Sequence, residues 1–137
     1  MATIIDIVNA DRNLYMMIKG LKISSLNDKL RGPGPFTLLA PVNLAFRNLA
    51  FPDNVETLLT TSGSNKRISD IIGCHILLVK KLIKDFRNGE KFKTANGKEV
   101  FVTVKDDDVY ISGAKILARD RQGSNGVIHS IDCVIFP

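Results

Sequence analysis

The spacing of the apolar residues changes once along this chain, and that change limits the folds open to it. Up to about residue 76 apolar residues recur at helical intervals; from about residue 90 they alternate. Leu14, Met17, Ile18 and Leu21 fall at i, i+3, i+4 and i+7, one stripe of a helix. Ile68, Ile71, Ile72 and His75 repeat the spacing, which puts His75 on the buried side of a helix or at its exit. Later, Val100, Val102 and Val104 alternate with Phe101, Thr103 and Lys105, and Val109 and Ile111 continue beyond the turn at Asp106-Asp107-Asp108. Helices followed by hairpin-linked antiparallel strands predict an α+β fold with one core, a single domain over residues 1–137.

Punctuation places the elements within that frame. Asp11 is expected to cap the first striped helix and Gly20 to end it. Ser24-Ser25 introduces a shorter helix carrying Leu26 and Leu30. Gly32-Pro33-Gly34-Pro35 then breaks the chain, and its prolines remove the N–H donors a phosphate-binding loop would supply. Phe36–Ala40 reads as a buried strand ended by Pro41, and Asn43 as the cap of a turn of helix through Phe46. Asp53 and Glu56 have capping-box spacing, and Ser62-Gly63-Ser64-Asn65 reads as a loop. Asn88-Gly89, Asn96-Gly97 and Asn125-Gly126 mark turns. The last strand is expected from Val127 to Phe136, with His129 and Cys133 on the face of Val127, Ile131 and Ile135, and Asp132 on the other.

Charge is distributed unevenly. The chain of 137 residues carries 19 basic and 14 acidic side chains, a net charge of +5. Lys66 to Lys98 alone holds nine basic and three acidic residues, a surplus of six, so the remainder sums to −1. Such a localised field favours an acidic partner. No run approaches the roughly 18 apolar residues of a membrane span, and the start at Met1–Asp6 does not read as a secretory leader.

Little in the residue types points to catalysis. Cys74 and Cys133 sit in apolar surroundings and are expected to be inert core thiols. Two cysteines and two histidines match the residue types of a zinc site, but adjacent Cys74-His75 cannot easily aim both side chains at one ion. No disulfide, metal or other cofactor is therefore expected. A Cys–His nucleophile pair would need a partly exposed thiol, and no Gly-x-Ser-x-Gly elbow or paired carboxylates are present. Asp106–Asp108 lacks the spacing, glycine and distal glutamate of a calcium loop and reads as a solvated hairpin tip. The stretch Lys80–Lys93 mixes cations with Phe86 and Phe92, as single-strand nucleic-acid binders do, yet these rings are expected to face inward.

Two segments carry a resemblance beyond periodicity. Phe36-Thr37-Leu38-Leu39-Ala40-Pro41-Val42-Asn43-Leu44-Ala45-Phe46 resembles the first signature block of the fasciclin domain family, and Asn125–Pro137 resembles the second. Ile72-Gly73-Cys74-His75-Ile76 stands where the family carries its tyrosine–histidine motif, and Phe92–Gly97 is similar to its turn into the central hairpin. The resemblance covers about Thr3 to Pro137. It implies a β-wedge or sandwich of antiparallel-rich strands wrapped by short helices, with the two blocks as neighbouring core strands. It implies also a non-catalytic, extracellular, periplasmic or cell-surface adhesion module, monomeric, with no specific nucleic-acid partner. Its partner would be a surface or matrix protein or an acidic polysaccharide, with anionic membrane surfaces a further contact. The alternatives are a purely structural scaffold within a larger surface protein, or a thiol-dependent enzyme. Cys74 stands in place of the family's tyrosine. The interaction candidates are Cys74, His75, Lys80, Lys81 and Lys84; Asn43, His129 and Asp132 are the structural motif residues.

Overall fold

The computed structural model describes residues 2–48 and 65–136. The capping box expected at Asp53 and Glu56, and the loop before Asn65, lie outside the described residues. The helical half holds α1 (Ile4–Asn9), α2 (Tyr15–Ile23), α3 (Leu26–Lys29), α4 (Asn43–Arg47) and α5 (Asn65–Gly73). Thr3 and Asp6 close a capping box at the start of α1, each accepting the other's backbone N–H. Asp11 caps a 3-10 turn, Arg12–Leu14, by accepting from the Asn13 N–H at 2.9 Å, and α2 continues from it.

Gly20 does not end α2, which runs on to Ile23. It is buried instead, where a Cβ would come within 2.6 Å of Ile72 Cδ1. The helical glycine costs about 1 kcal/mol against alanine, and close approach of α2 to α5 is what it allows.

The strands are β1 (Phe36–Pro41), β2 (Ile76–Leu77), β3 (Lys91–Lys93), β4 (Glu99–Lys105), β5 (Asp108–Ile111), β6 (Ala114–Lys115), β7 (Arg121–Gly123) and β8 (Gly126–Ile131). They form two four-stranded sheets, ordered β2-β1-β8-β7 and β3-β4-β5-β6. The two signature blocks are neighbours, as the resemblance implies: β1 and β8 pair from Phe36↔Gly126 to Pro41↔Ile131. They run parallel, whereas every other strand pair among the described residues is antiparallel. Both strands are buried on both faces, so their sequences read as continuous apolar runs. Leu38, Ala40 and Ile128 pack into a cluster with α1, α2 and α5; Leu39 and Ile131 pack into a second cluster with the β4–β5 sheet. The first sheet therefore lies between the helices and the second sheet. Gly126 admits the Phe36 carbonyl where any Cβ would overlap it.

The second sheet keeps the expected alternation. Val100, Val102, Val109 and Ile111 are buried. Its hairpins turn through Asp106-Asp107 (φ 51° and 70°) and Ser112-Gly113 (φ 48° and 86°), pairs of positive φ that match the right-handed twist of the strands.

Two expectations are corrected here. The last strand ends at Ile131, because its partner β1 ends opposite it at Pro41. Asp132 then turns outward and clasps β6: its carboxylate accepts from the Lys115 N–H at 2.9 Å and its N–H donates to the Lys115 carbonyl. Cys133 is consequently exposed, not a core thiol, and does not continue the face of His129.

Asn43 is likewise not the cap of α4, whose cap position is Val42. Its amide reaches across to the start of α2, accepting from the Met16 N–H at 2.9 Å and donating to the Arg12 carbonyl at 2.7 Å. The Met16 N–H is one of the donors that a helix start leaves without an internal partner. Asn43→Ala should therefore lower unfolding free energy by about 1–2 kcal/mol. A urea midpoint equal to wild type would show that water replaces both bonds.

Candidate functional site

The tyrosine–histidine position lies where α5 ends and the chain turns into β2. Ile68, Ile71 and Ile72 face inward, and the same stripe carries His75 fully inside. His75 Nδ1 lies 2.7 Å from the Ile71 carbonyl, and its Nε2 accepts from the Ile135 N–H at 2.9 Å. A carbonyl can only accept and an N–H can only donate, so the ring is the neutral Nδ1–H tautomer. Burial drives its pKa down to about 4, with the Ile71 hydrogen bond opposing. The imidazole joins the end of α5 to the C-terminal segment.

His129, in β8, is a second clamp of opposite tautomer. Its Nε2–H donates to the Lys81 carbonyl at 2.6 Å, and its Nδ1 accepts from the Asp120 N–H at 3.1 Å. Phe86 meets the ring edge-on at a centroid distance of 5.7 Å. Desolvation lowers its pKa, opposed by the Lys81 carbonyl and the Asp120 carboxylate.

Cys74 is buried beside His75. Its sulfur accepts from Asn96 Nδ2 at 3.1 Å, and the same amide donates to the Asp70 carbonyl at 2.8 Å. Desolvation raises its pKa, and desolvation together with Asp132 raises that of the exposed Cys133. Both imidazoles spend both ring nitrogens on backbone groups, so neither has a nitrogen left to activate a thiol. Placing Cys74 and His75 among the contact residues is thus corrected: neither presents atoms at the surface.

The lysine candidates divide. Lys84 is exposed in a 3-10 turn, Ile83–Asp85. Lys80 is exposed and donates to Gln122 Oε1 at 2.9 Å. Lys81, expected in the solvated patch, is half-buried: its ammonium lies 3.8 Å from Glu90 and 5.0 Å from the Phe92 ring centroid. Its backbone is held as well, the N–H by Thr37 Oγ1 at 2.8 Å and the carbonyl by His129. Among the described residues, Lys80, Lys84, Arg87, Lys91, Lys93 and Lys98 form no ion pair. The positive field therefore sits on the Lys80–Arg87 segment and the β3–β4 hairpin.

Three polar side chains that organise this region are not evident as such in the sequence. Thr37 fixes Lys81 and also donates to the Val79 carbonyl. Asn96 ties α5 to the β3–β4 hairpin. Asn125, legible only as a turn former, accepts from the Ile4 N–H at 3.0 Å and donates to the Leu30 and Gly32 carbonyls at 2.6 and 2.8 Å.

Two stacked sheets with helices on the first sheet's outer side, with the two signature strands in parallel contact and the histidines used as internal clamps, define a module whose outside is left for contacts. The chain belongs to the fasciclin domain family, whose model matches residues 12–137. It is similar to protein sll1483 of Synechocystis sp., with 33% identity over 98% of this chain and 73% of that one. Human periostin is 35% identical over 82% of this chain, which spans 12% of periostin's length. The fold matches about half of a FAS1 domain pair from the insect cell adhesion molecule Fasciclin I, with a TM-score of 0.74 at 18% identity over 99% of this chain and 51% of that one.

Proposed function

We propose that residues 1–137 form one non-catalytic adhesion or interaction module working at a cell surface, in a matrix or in a periplasm. It binds as a monomer to an acidic surface protein or polysaccharide, through a flank that includes Lys80 and Lys84. Family membership supports the class, and the likeness to a cell adhesion molecule supports the setting. One observation carries the reading: unpaired cations stand in solvent while both histidines and Cys74 are bonded inside. Anionic membrane surfaces would be attracted by the same field.

Beads coated with the domain should attach to cells and to anionic vesicles, and Lys80→Glu/Lys84→Glu should reduce that attachment about tenfold, a change of about 1.4 kcal/mol. Both side chains are exposed, so the far-UV dichroism and urea midpoint should stay at wild-type values. Attachment unchanged in the folded variant would remove these lysines from the contact and favour a purely structural scaffold.

A further inference from the structure

We infer that the outer face of the β3-β4-β5-β6 sheet is a platform for an acidic polysaccharide; this rests on the module reading above. Residues directly opposite in an antiparallel pair share a face. Lys91 stands opposite Phe101, Thr103 opposite Tyr110, and Tyr110 in turn opposite Lys115. The inward sides of β4 and β5 are the buried Val100, Val102, Val109 and Ile111, so these five residues look outward. Phe101 is 51% exposed on an interior strand. Phe101 and Tyr110 are diagonal neighbours, a spacing of about 7–8 Å.

The arrangement repeats one unit twice, an aromatic ring with a lysine beside it. A sugar ring offers C–H groups on its flat face and, in an acidic polysaccharide, a carboxylate or sulfate at its rim. The aromatic ring suits the first and the ammonium the second, and Thr103, on the same face next to Phe101 and opposite Tyr110, adds a hydroxyl for sugar hydroxyls. Among the described residues, Lys91 has no ion pair, and Lys115 holds only an exposed pair with Asp108 at 3.6 Å, which a ligand anion can replace.

Charge complementarity sets the sign of the ligand. Lys91, Lys93, Lys105 and Lys115 face Glu99 and Asp108, four cations against two carboxylates. Lysines on β3 also guard an edge strand against pairing with other chains. Guarding accounts for Lys91 and Lys93, but not for a half-exposed phenylalanine on the strand inside them.

The test is retention of the whole chain on immobilised heparin and on a polyuronate, with neutral dextran and oligothymidylate as comparators. Wild type should bind both acidic polysaccharides and not dextran. Phe101→Ser should weaken binding about tenfold and leave its salt dependence intact. Lys91→Gln/Lys93→Gln should lower the slope of log affinity against log salt by about two. All three sites are exposed, and dichroism and urea midpoint verify the fold. Binding untouched by either variant, equal binding to dextran, or tighter binding to oligothymidylate would each overturn the inference. No retention on either polysaccharide, with attachment that still depends on Lys80 and Lys84, would overturn the platform and keep the module reading. Loss of both would overturn both.

Discussion

His75→Ala is expected to cost about 3–5 kcal/mol of stability, a large share of the roughly 5–15 kcal/mol that holds a domain together. The side chain is wholly buried and both ring nitrogens are bonded. Removing it leaves the Ile135 N–H with no acceptor, worth about 1–3 kcal/mol. The Ile71 carbonyl loses one donor but keeps the Cys74 N–H at 3.1 Å, so its share is smaller. The vacated ring volume adds a cavity in a packed interior. The C-terminal segment carrying Ile135 would lose its tie to α5, so proteolysis in the native state should begin there. Urea unfolding measures the loss directly, and a variant within about 1 kcal/mol of wild type would contradict the clamp.

The second large effect is loss of stability in mild acid. Unfolded, an imidazole takes up its proton near pH 6.5, whereas folded His75 does so only near pH 4. Between those values the unfolded chain holds more protons than the folded one, so stability falls as pH drops through that window. The displacement corresponds to about 3 kcal/mol, fully present at pH 7 and lost by pH 4. His129, also shifted downward by burial, acts in the same direction. Carboxylates titrate in the lower part of this range as well, so wild type must be compared with His75→Ala at each pH. The stability gap between them should narrow from pH 7 to pH 4.5. A gap that stays constant would mean that His75 does not titrate between the folded and unfolded states.

What the sequence made legible follows from how local each signal is. The stripes over Leu14–Leu21 and Ile68–His75 reappear as buried helix faces, and the alternation from Val100 to Ile111 as a one-sided hairpin, because burial repeats with the period of the element. Block-to-block pairing was legible through resemblance and not through pattern, since β1 and β8 are 90 residues apart (126 minus 36). The misplaced ends have tertiary causes. Gly20 resembles a helix stop but is a point of close packing for Ile72, and the final strand stops where β1 runs out. Cys133 comes to the surface for the same reason, in a segment whose apolar residues suggested burial.

The candidate site was legible as charge and not as geometry. The surplus between Lys66 and Lys98 identified the positive region. It could not say that Lys81 folds back on Glu90 and Phe92, or that Cys74 and His75 are sealed. Phe101 is legible only as a residue alternating with Val100 and Val102, and Tyr110 not at all, because which aromatics share an outer face depends on the strand register.

Attachment of the bead-coupled wild-type domain across a salt series tests the central claim, contact through unpaired surface cations, most directly. Raising ionic strength from 0.01 to 0.15 M shortens the screening length from about 30 Å to about 8 Å. Attachment to cells and acidic polysaccharide should fall steeply across that range and return on dilution. Attachment that stays constant with salt would contradict the account and place the contact on an uncharged surface.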